Sequence, residues 1–264
     1  MSALVTLRRS LRHRIRVKGV PILLTPMTDD PRGVVAQLQS DADISTDFFV
    51  SLHRELTARG WERIRTNAVA ERFTDAAHDA GFATAQRLVL LERPTISEAG
   101  LETAGESAVV VHATTYHGSS PRTRRMLDAC GRIDASSFPP TWSLDARSLR
   151  DAATATPRHR FFSVTATQDD DDCDDDDDSL SGYLLCGADS THGFIQRLAV
   201  HPRHRRQGMA RVLLARSLGW LATLGVRSTW VNTEPDNAAA LHLYLNAGFQ
   251  RRSTGLVVVE RCAT

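Results

Sequence analysis

Apolar residues recur along this chain in two rhythms. Short runs rich in β-branched residues read as strands, and stretches with apolar positions three and four apart read as helices. Val20–Leu24 predicts a strand and Asp29–Arg32 a turn. Phe48–Ala58 has helical spacing, with Thr46 or Asp47 as its N-cap and Gly60 closing it. Trp61–Thr66 predicts a strand, Phe73–Ala80 a helix stopped at Gly81-Phe82, and Leu88–Leu91 a strand. Further on, Ala108–Tyr116 reads as a strand, Arg122–Arg132 and Leu144–Ala155 as helices, and Phe161–Thr167 and Tyr183–Cys186 as strands. Phe194–Val200 is another strand, ended by His201-Pro202; a helix over Gly208–Leu224 follows, with Gly225 at its end. Arg227–Thr233 is a strand, Pro235-Asp236 caps a helix containing Asn237, Ala240, Leu243 and Tyr244, and Leu256–Val259 is the last strand.

Part of this pattern occurs twice. LTARGWERIRTN (Leu56–Asn67) parallels LATLGVRSTWVN (Leu221–Asn232), Ala80–Phe82 parallels Ala247–Phe249, and LVLLER (Leu88–Arg93) parallels LVVVER (Leu256–Arg261). Order and spacing agree, which is the mark of an internal repeat. The expected layout is an N-terminal region over 1–94, a small, polar linker over 95–107, and a second domain over 108–264.

The two copies differ where the second has its most informative stretch, Phe194–Ala210. There a strand turns through Arg205-Arg206-Gln207-Gly208-Met209-Ala210 into a helix. Free N–H groups and the positive end of the helix dipole face such a loop, which makes it an anion site, and Gly208 lets the backbone come close to a phosphate. In the first copy the matching helix is preceded by Asp41, Asp43 and Asp47 with no basic glycine loop, and that acidity repels a pyrophosphate.

Charge and cysteine usage narrow the picture. The formal net charge of +1 gives no argument for nucleic acid as a partner, although nine Asp between Asp169 and Asp178 conceal an excess of +10 on the remaining residues. That Asp run reads as a solvated hairpin loop, and a sharper expectation is that it competes with phosphates for Arg203, Arg205 and Arg206. The cysteines, Cys130, Cys173, Cys186 and Cys262, are scattered without metal-ligand spacing, so free thiols in a reducing, cytoplasmic setting and no metal are expected. No apolar run is long enough for a membrane helix.

The Arg-x-x-Gly-x-Ala loop, followed at one helix plus one strand by Asn-x-x-Ala-x-x-Leu-Tyr-x-x-x-Gly-Phe, resembles the GCN5-related N-acetyltransferase (GNAT) superfamily across Phe194–Arg261. FIQRLAV, VNTEPDN and GLVVVER look like an actinobacterial branch of unassigned substrate. The resemblance implies an α/β (α+β) fold with a mixed, mostly antiparallel sheet flanked by helices. It makes the first copy a degenerate half-domain without a CoA loop. It also implies acetyl transfer from acetyl-CoA to the amine of a small-molecule or protein acceptor.

Carried over residue by residue, backbone N–H groups of Leu198, Ala199 and Val200 would hold the pantetheine arm and polarise the thioester. Arg205, Arg206, Gln207, Gly208, Met209, Ala210 and Arg211 would take the pyrophosphate. Asn237 matches a CoA-contacting Asn, and Tyr244 the Tyr that protonates the departing thiolate. Where N-terminal-amine acetyltransferases often carry a Glu, this chain has Asn232, which cannot accept a proton. The base is left open among Glu234, a histidine such as His192, or water, and Gln196 and Arg197 are candidates for substrate contact. A CoA-binding sensor without turnover, or a donor other than acetyl-CoA, are the alternatives; acceptor and oligomeric state stay open.

Overall fold

The computed structural model describes residues 13–27, 29–40, 44–95, 109–114, 120–166 and 180–262. Most of the 95–107 linker and the whole Asp169–Asp178 run lie outside these. The described residues form two compact units. The first holds residues up to Leu90 together with Asn232–Asn237 and the chain from Arg252 onward; the second holds Leu91–Val231 and Ala238–Arg251. This division does not follow a single cut at the linker, and its physical cause is the pairing of the last strand.

In the first unit, β1 (His13–Val17), β2 (Val20–Pro26) and β3 (Gly33–Leu38) form an antiparallel meander. Helix α1 (Thr46–Ala58) then carries the chain to β4 (Arg63–Thr66), which runs parallel to β3. The cap of α1 is Ser45, one residue before the expected Thr46, because the Ser45 hydroxyl accepts the Phe48 N–H. After β5 (Val69–Ala70) and the short helix α2 (Thr74–Asp79), β6 (Ala83–Pro94) begins. The strand between β4 and β6 is β13 (Leu256–Cys262), antiparallel to both, with β5 also pairing along it. Glu260 of β13 fixes the register through Arg63 Nε at 2.9 Å and the buried Arg65 Nε at 2.7 Å. The core is one cluster in which Phe48, Phe49, Leu52 and Leu56 of α1 meet Ile22, Leu24, Val34, Ile64, Val257 and Val259 of the sheet.

In the second unit β7 (Val109–Thr114), β8 (Arg158–Ala166), β9 (Leu180–Ala188) and β10 (His192–Val200) are successive antiparallel neighbours, and β11 (Ser228–Thr233) runs parallel to β10. Helices α3 (Pro121–Ser137) and α4 (Ala146–Ala153) cover one face, where Leu127, Ile133 and Leu149 pack on Phe161, Tyr183, Leu185 and Ala199. Successive strand residues face opposite ways. Phe162 accordingly meets Trp220 of α5 (Met209–Thr223) on the other face, where Gly193 gives Leu221 room: a Cβ there would fall 2.9 Å from it. Helix α6 (Ala238–Asn246) and β12 (Gln250–Arg251), which pairs with Leu91 and Glu92, complete the unit. The architecture is mixed α/β with mostly antiparallel strands. No described helix is long and apolar enough to cross a membrane.

The repeat reaches further upstream than the sequence match. The series β3–α1–β4–α2–β6 has the order of β10–α5–β11–α6–β13. Gly81 and Gly248 both take φ near +80° at the ends of α2 and α6, and the next residue bonds back five positions, Phe82 N–H to Ala77 C=O and Phe249 N–H to Tyr244 C=O. The counterpart of Tyr244 is therefore Ala77. Among the described residues the first unit has no equivalent of α3 and α4.

Candidate active site

The site begins where β10 leaves its neighbour. β10 and β11 pair in parallel only over His192↔Ser228 to Ile195↔Val231. At Gln196 the register against β9 shifts, and β10 then continues with β9 alone to Val200. A bulge of this kind bends one strand away from another and leaves a gap with an unpaired edge. The direction of that edge follows from antiparallel alternation. His201 N–H bonds Ser181 C=O, so Ala199, two residues back, also turns its N–H toward β9. Leu198 and Val200 point theirs into the gap. The expected trio of donors is thus a pair, with Ala199 buried against α3 and α4.

Past Val200 the chain makes a turn of 3-10 helix at Pro202–His204 and then the basic loop. Arg205 is folded back, its Nε donating to Val200 C=O at 3.2 Å. Arg206 sits at φ 63°, in the left-handed region that non-glycine residues seldom occupy and that clusters at binding sites. Gly208 follows at φ 82° as the N-cap of α5. It supplies no side-chain acceptor, so the first-turn N–H groups of Met209, Ala210 and Arg211 keep their donors free of a cap. A Cβ at Gly208 would meet nothing within 4 Å, so the space beside the cap is open. Arg205, Arg206, Gln207 and Arg211 are exposed, whereas the Met209 side chain is buried and offers the loop only its backbone. An anionic pyrophosphate fits this donor set, and the edge of β10 past Gln196 fits an extended arm that needs backbone partners. Among the described residues no group of three or more His, Cys, Asp or Glu could hold a metal ion.

Tyr244 lies on α6 in the same unit, buried, with its ring 5.7 Å from Phe249. Asn237 falls in the first unit, where its Nδ2 donates to Glu234 Oε2 at 3.5 Å while Gln86 Nε2 donates to Glu234 Oε1 at 2.8 Å. Asn232 is exposed. His192 packs 4.8 Å from the Trp230 ring at the start of β10, eight residues before Val200, or ~26 Å at ~3.3 Å per residue. Gln196, where the gap opens, is only four residues on, ~13 Å at the same rise, so His192 stays among the candidates for the base.

Arg197 turns out to be structural. Arg197 makes a bidentate pair with Asp134 of α3, 2.7 Å at both nitrogens, donates to Trp142 C=O at 2.7 Å and stacks 3.5 Å over the Phe138 ring. Burial alone would lower its pKa, but the bonds to Asp134 carry it above the ordinary guanidinium value. Tyr183 donates its hydroxyl to Asp134 at 2.5 Å, and its pKa is driven well up by burial and the adjacent carboxylate. Leu144 N–H adds a fourth bond to Asp134. Nothing local in the sequence marks this network; its only signal is an Arg in a largely apolar strand. Gln196 Nε2 donates to Ala152 C=O at 2.9 Å.

Residues 127–249 match the family described as Acetyltransferase (GNAT) family. A tandem GNAT protein from the clavulanic acid biosynthesis pathway superposes with a TM-score of 0.62 over 99% of this chain and 87% of its own, at 13% identity. A GCN5-related N-acetyltransferase from Kribbella flavida does so with a TM-score of 0.57 over 98% and 93%, at 12% identity. The [ribosomal protein bS18]-alanine N-acetyltransferase of Escherichia coli is 40% identical over 52 residues, 20% of this chain and 35% of that protein. The chain thus spans about a third of the length of the curated relatives it matches.

Proposed function

Residues 127–249 are a domain of the GNAT acetyltransferase family, and from that premise we propose that the protein moves the acetyl group of acetyl-CoA to a primary amine by direct attack in a ternary complex. The observation that carries the reading is the coincidence of two features on one strand. The edge of β10 opens at Gln196, and the open, glycine-capped N-terminus of α5 follows that strand.

The N–H groups of Leu198 and Val200 receive the arm and polarise the thioester carbonyl, which stabilises the oxyanion as it forms. The loop Arg205–Arg211 neutralises the pyrophosphate with side chains and helix N–H groups. Asn237 keeps the CoA contact that its motif position gives it. The amine nitrogen attacks the carbonyl carbon, the C–S bond breaks, and Tyr244 donates its phenolic proton to the leaving sulfur. The proton released by the nitrogen passes to a base or water, which restores the phenol. No residue is assigned as that base.

The test is to incubate the purified protein with acetyl-CoA and a panel of amines while following free thiol. The panel includes a peptide with N-terminal alanine, the acceptor type in the name of the Escherichia coli relative. Amine-dependent thiol release supports transfer. Saturable acetyl-CoA binding with no release on any amine supports the second reading, a CoA-binding sensor, which the neutral Asn232 favours.

A further inference from the structure

A cavity of about 290 Å³ opens beside the turn that precedes the basic loop, lined by Ala129, Arg132 and Ile133 of α3, Leu180 of β9, and His201, Arg203 and His204. Among the described residues it is lined by no carboxylate. We propose that this cavity is a second anion site, separate from the acetyl-CoA footprint, and that it takes a small organic phosphomonoester.

The chemistry of its walls divides in two. Arg132, Arg203, His201 and His204 supply cationic or donor groups, and guanidinium forks match phosphate oxygens. His201 accepts the Arg203 N–H at Nδ1, 3.4 Å away, so its neutral ring carries its proton on Nε2 and remains a donor. The His204 ring lies 5.9 Å from that of His201, which brings two imidazoles to one end of the space. Among the described residues Arg203 makes no ion pair, and it is exposed. Ala129, Ile133 and Leu180 form the other wall, which suits an apolar body rather than a second charge. The volume approaches the lower end of small-ligand pockets, ~300 Å³, and is several times the ~30 Å³ that a water occupies in the liquid. It therefore has room for more than a bare phosphate group.

The site is separate from the proposed pyrophosphate loop by its elements. The loop offers the N-terminus of α5 and Arg205–Arg211, whereas the cavity is walled by α3 and by residues that come before Arg205. This assignment does not depend on the acetyl-transfer reading.

The experiment titrates inorganic phosphate, n-butyl phosphate and acetate into the protein by calorimetry at constant ionic strength, with and without saturating CoA. Butyl phosphate is expected to bind at least threefold more tightly than phosphate, and acetate more weakly than either. Saturating CoA should change the butyl phosphate Kd less than twofold. Arg203→Ala should weaken butyl phosphate at least tenfold; Arg132→Ala and His204→Gln, outside the basic loop, should act in the same direction and leave CoA affinity within twofold. No saturable binding of either phosphate in the wild-type protein, an unchanged Kd in Arg203→Ala, or displacement of butyl phosphate by CoA would each overturn the proposal. Failure of CoA itself to bind would count against the acetyl-transfer reading alone.

Discussion

Asn67 holds Leu38 by both ends of its side-chain amide. Its Oδ1 accepts the Leu38 N–H at 2.8 Å, and its Nδ2 donates to the Leu38 C=O at 3.4 Å. This stitch lies just past the last parallel pair of β3 and β4, Ala36↔Thr66. The second copy has the same register, ending at Ile195↔Val231, and there β10 bulges away instead. The first copy is therefore sewn shut where the second opens, and its helix N-terminus is filled by Ser45 and Asp47 where the second has Gly208. Asn67→Ala removes two hydrogen bonds and should cost ~1–3 kcal/mol in urea unfolding, at about 0.5–1.5 kcal/mol per bond. Calorimetry should still give a single acetyl-CoA per chain, since opening the stitch supplies no phosphate site.

Gly208→Glu should abolish acetyl-CoA binding. The neighbourhood is open, so steric clash is not the reason; the residue brings a negative charge to the phosphate position and must adopt φ 82°. Gly208→Asn, which tolerates the left-handed region, should keep most of the affinity. Wild-type affinity in Gly208→Glu would remove the loop from the donor site.

Tyr244→Phe should leave acetyl-CoA affinity in place and lower kcat by ~10²–10⁴, the usual contribution of a positioned acid. Pre-steady-state thiol release is the measurement. An unchanged chemical step would assign Tyr244, which is buried against Phe249, to packing alone.

Arg197→Met leaves the Asp134 carboxylate buried without its cation and should destabilise the protein by ~3–5 kcal/mol. Pairing it with Asp134→Leu should recover much of the loss, because two apolar residues of similar volume need no compensation. A double-mutant cycle in urea reads the coupling.

His53, on α1, has a buried Nε2 without a partner, and burial together with Arg261 lowers its pKa. The depressed value means that the unfolded chain binds the proton more readily. His53 thus contributes stability above the ordinary histidine range, ~6.5, and that contribution is lost as pH falls below it. The fall in Tm between pH 7.5 and pH 5.5 should be smaller in His53→Gln than in the wild type.

Much of the site was legible before any coordinates, because its parts are local. A strand, a basic loop, a glycine and a helix occupy Phe194–Leu224 without interruption, and the anion site proposed for the loop rests on backbone donors that any helix start has. The long-range features were not legible. Arg197 reads as a substrate contact until Asp134, 63 residues earlier, is seen beneath it. The N–H of Ala199 reads like its neighbours' until the bond from His201 to Ser181 fixes the alternation. β3 carries little local signal because GVVAQL is short; the signal that points to it is the repeat, which requires a partner for β4 where β10 partners β11.

The position of β13 bears on how the chain is made. Arg63 and Arg65 wait for Glu260, 197 and 195 residues downstream, and the first unit's sheet has β13 between β4 and β6. A nascent chain that has emerged only as far as β6 would expose one side of β4 as an unfilled edge. Such edges invite pairing with other chains, and contacts so distant in sequence close slowly. The first unit is thus completed only after the second has emerged, and a truncation that removes Leu256–Cys262 should unfold the first unit, to which that strand belongs, rather than the second.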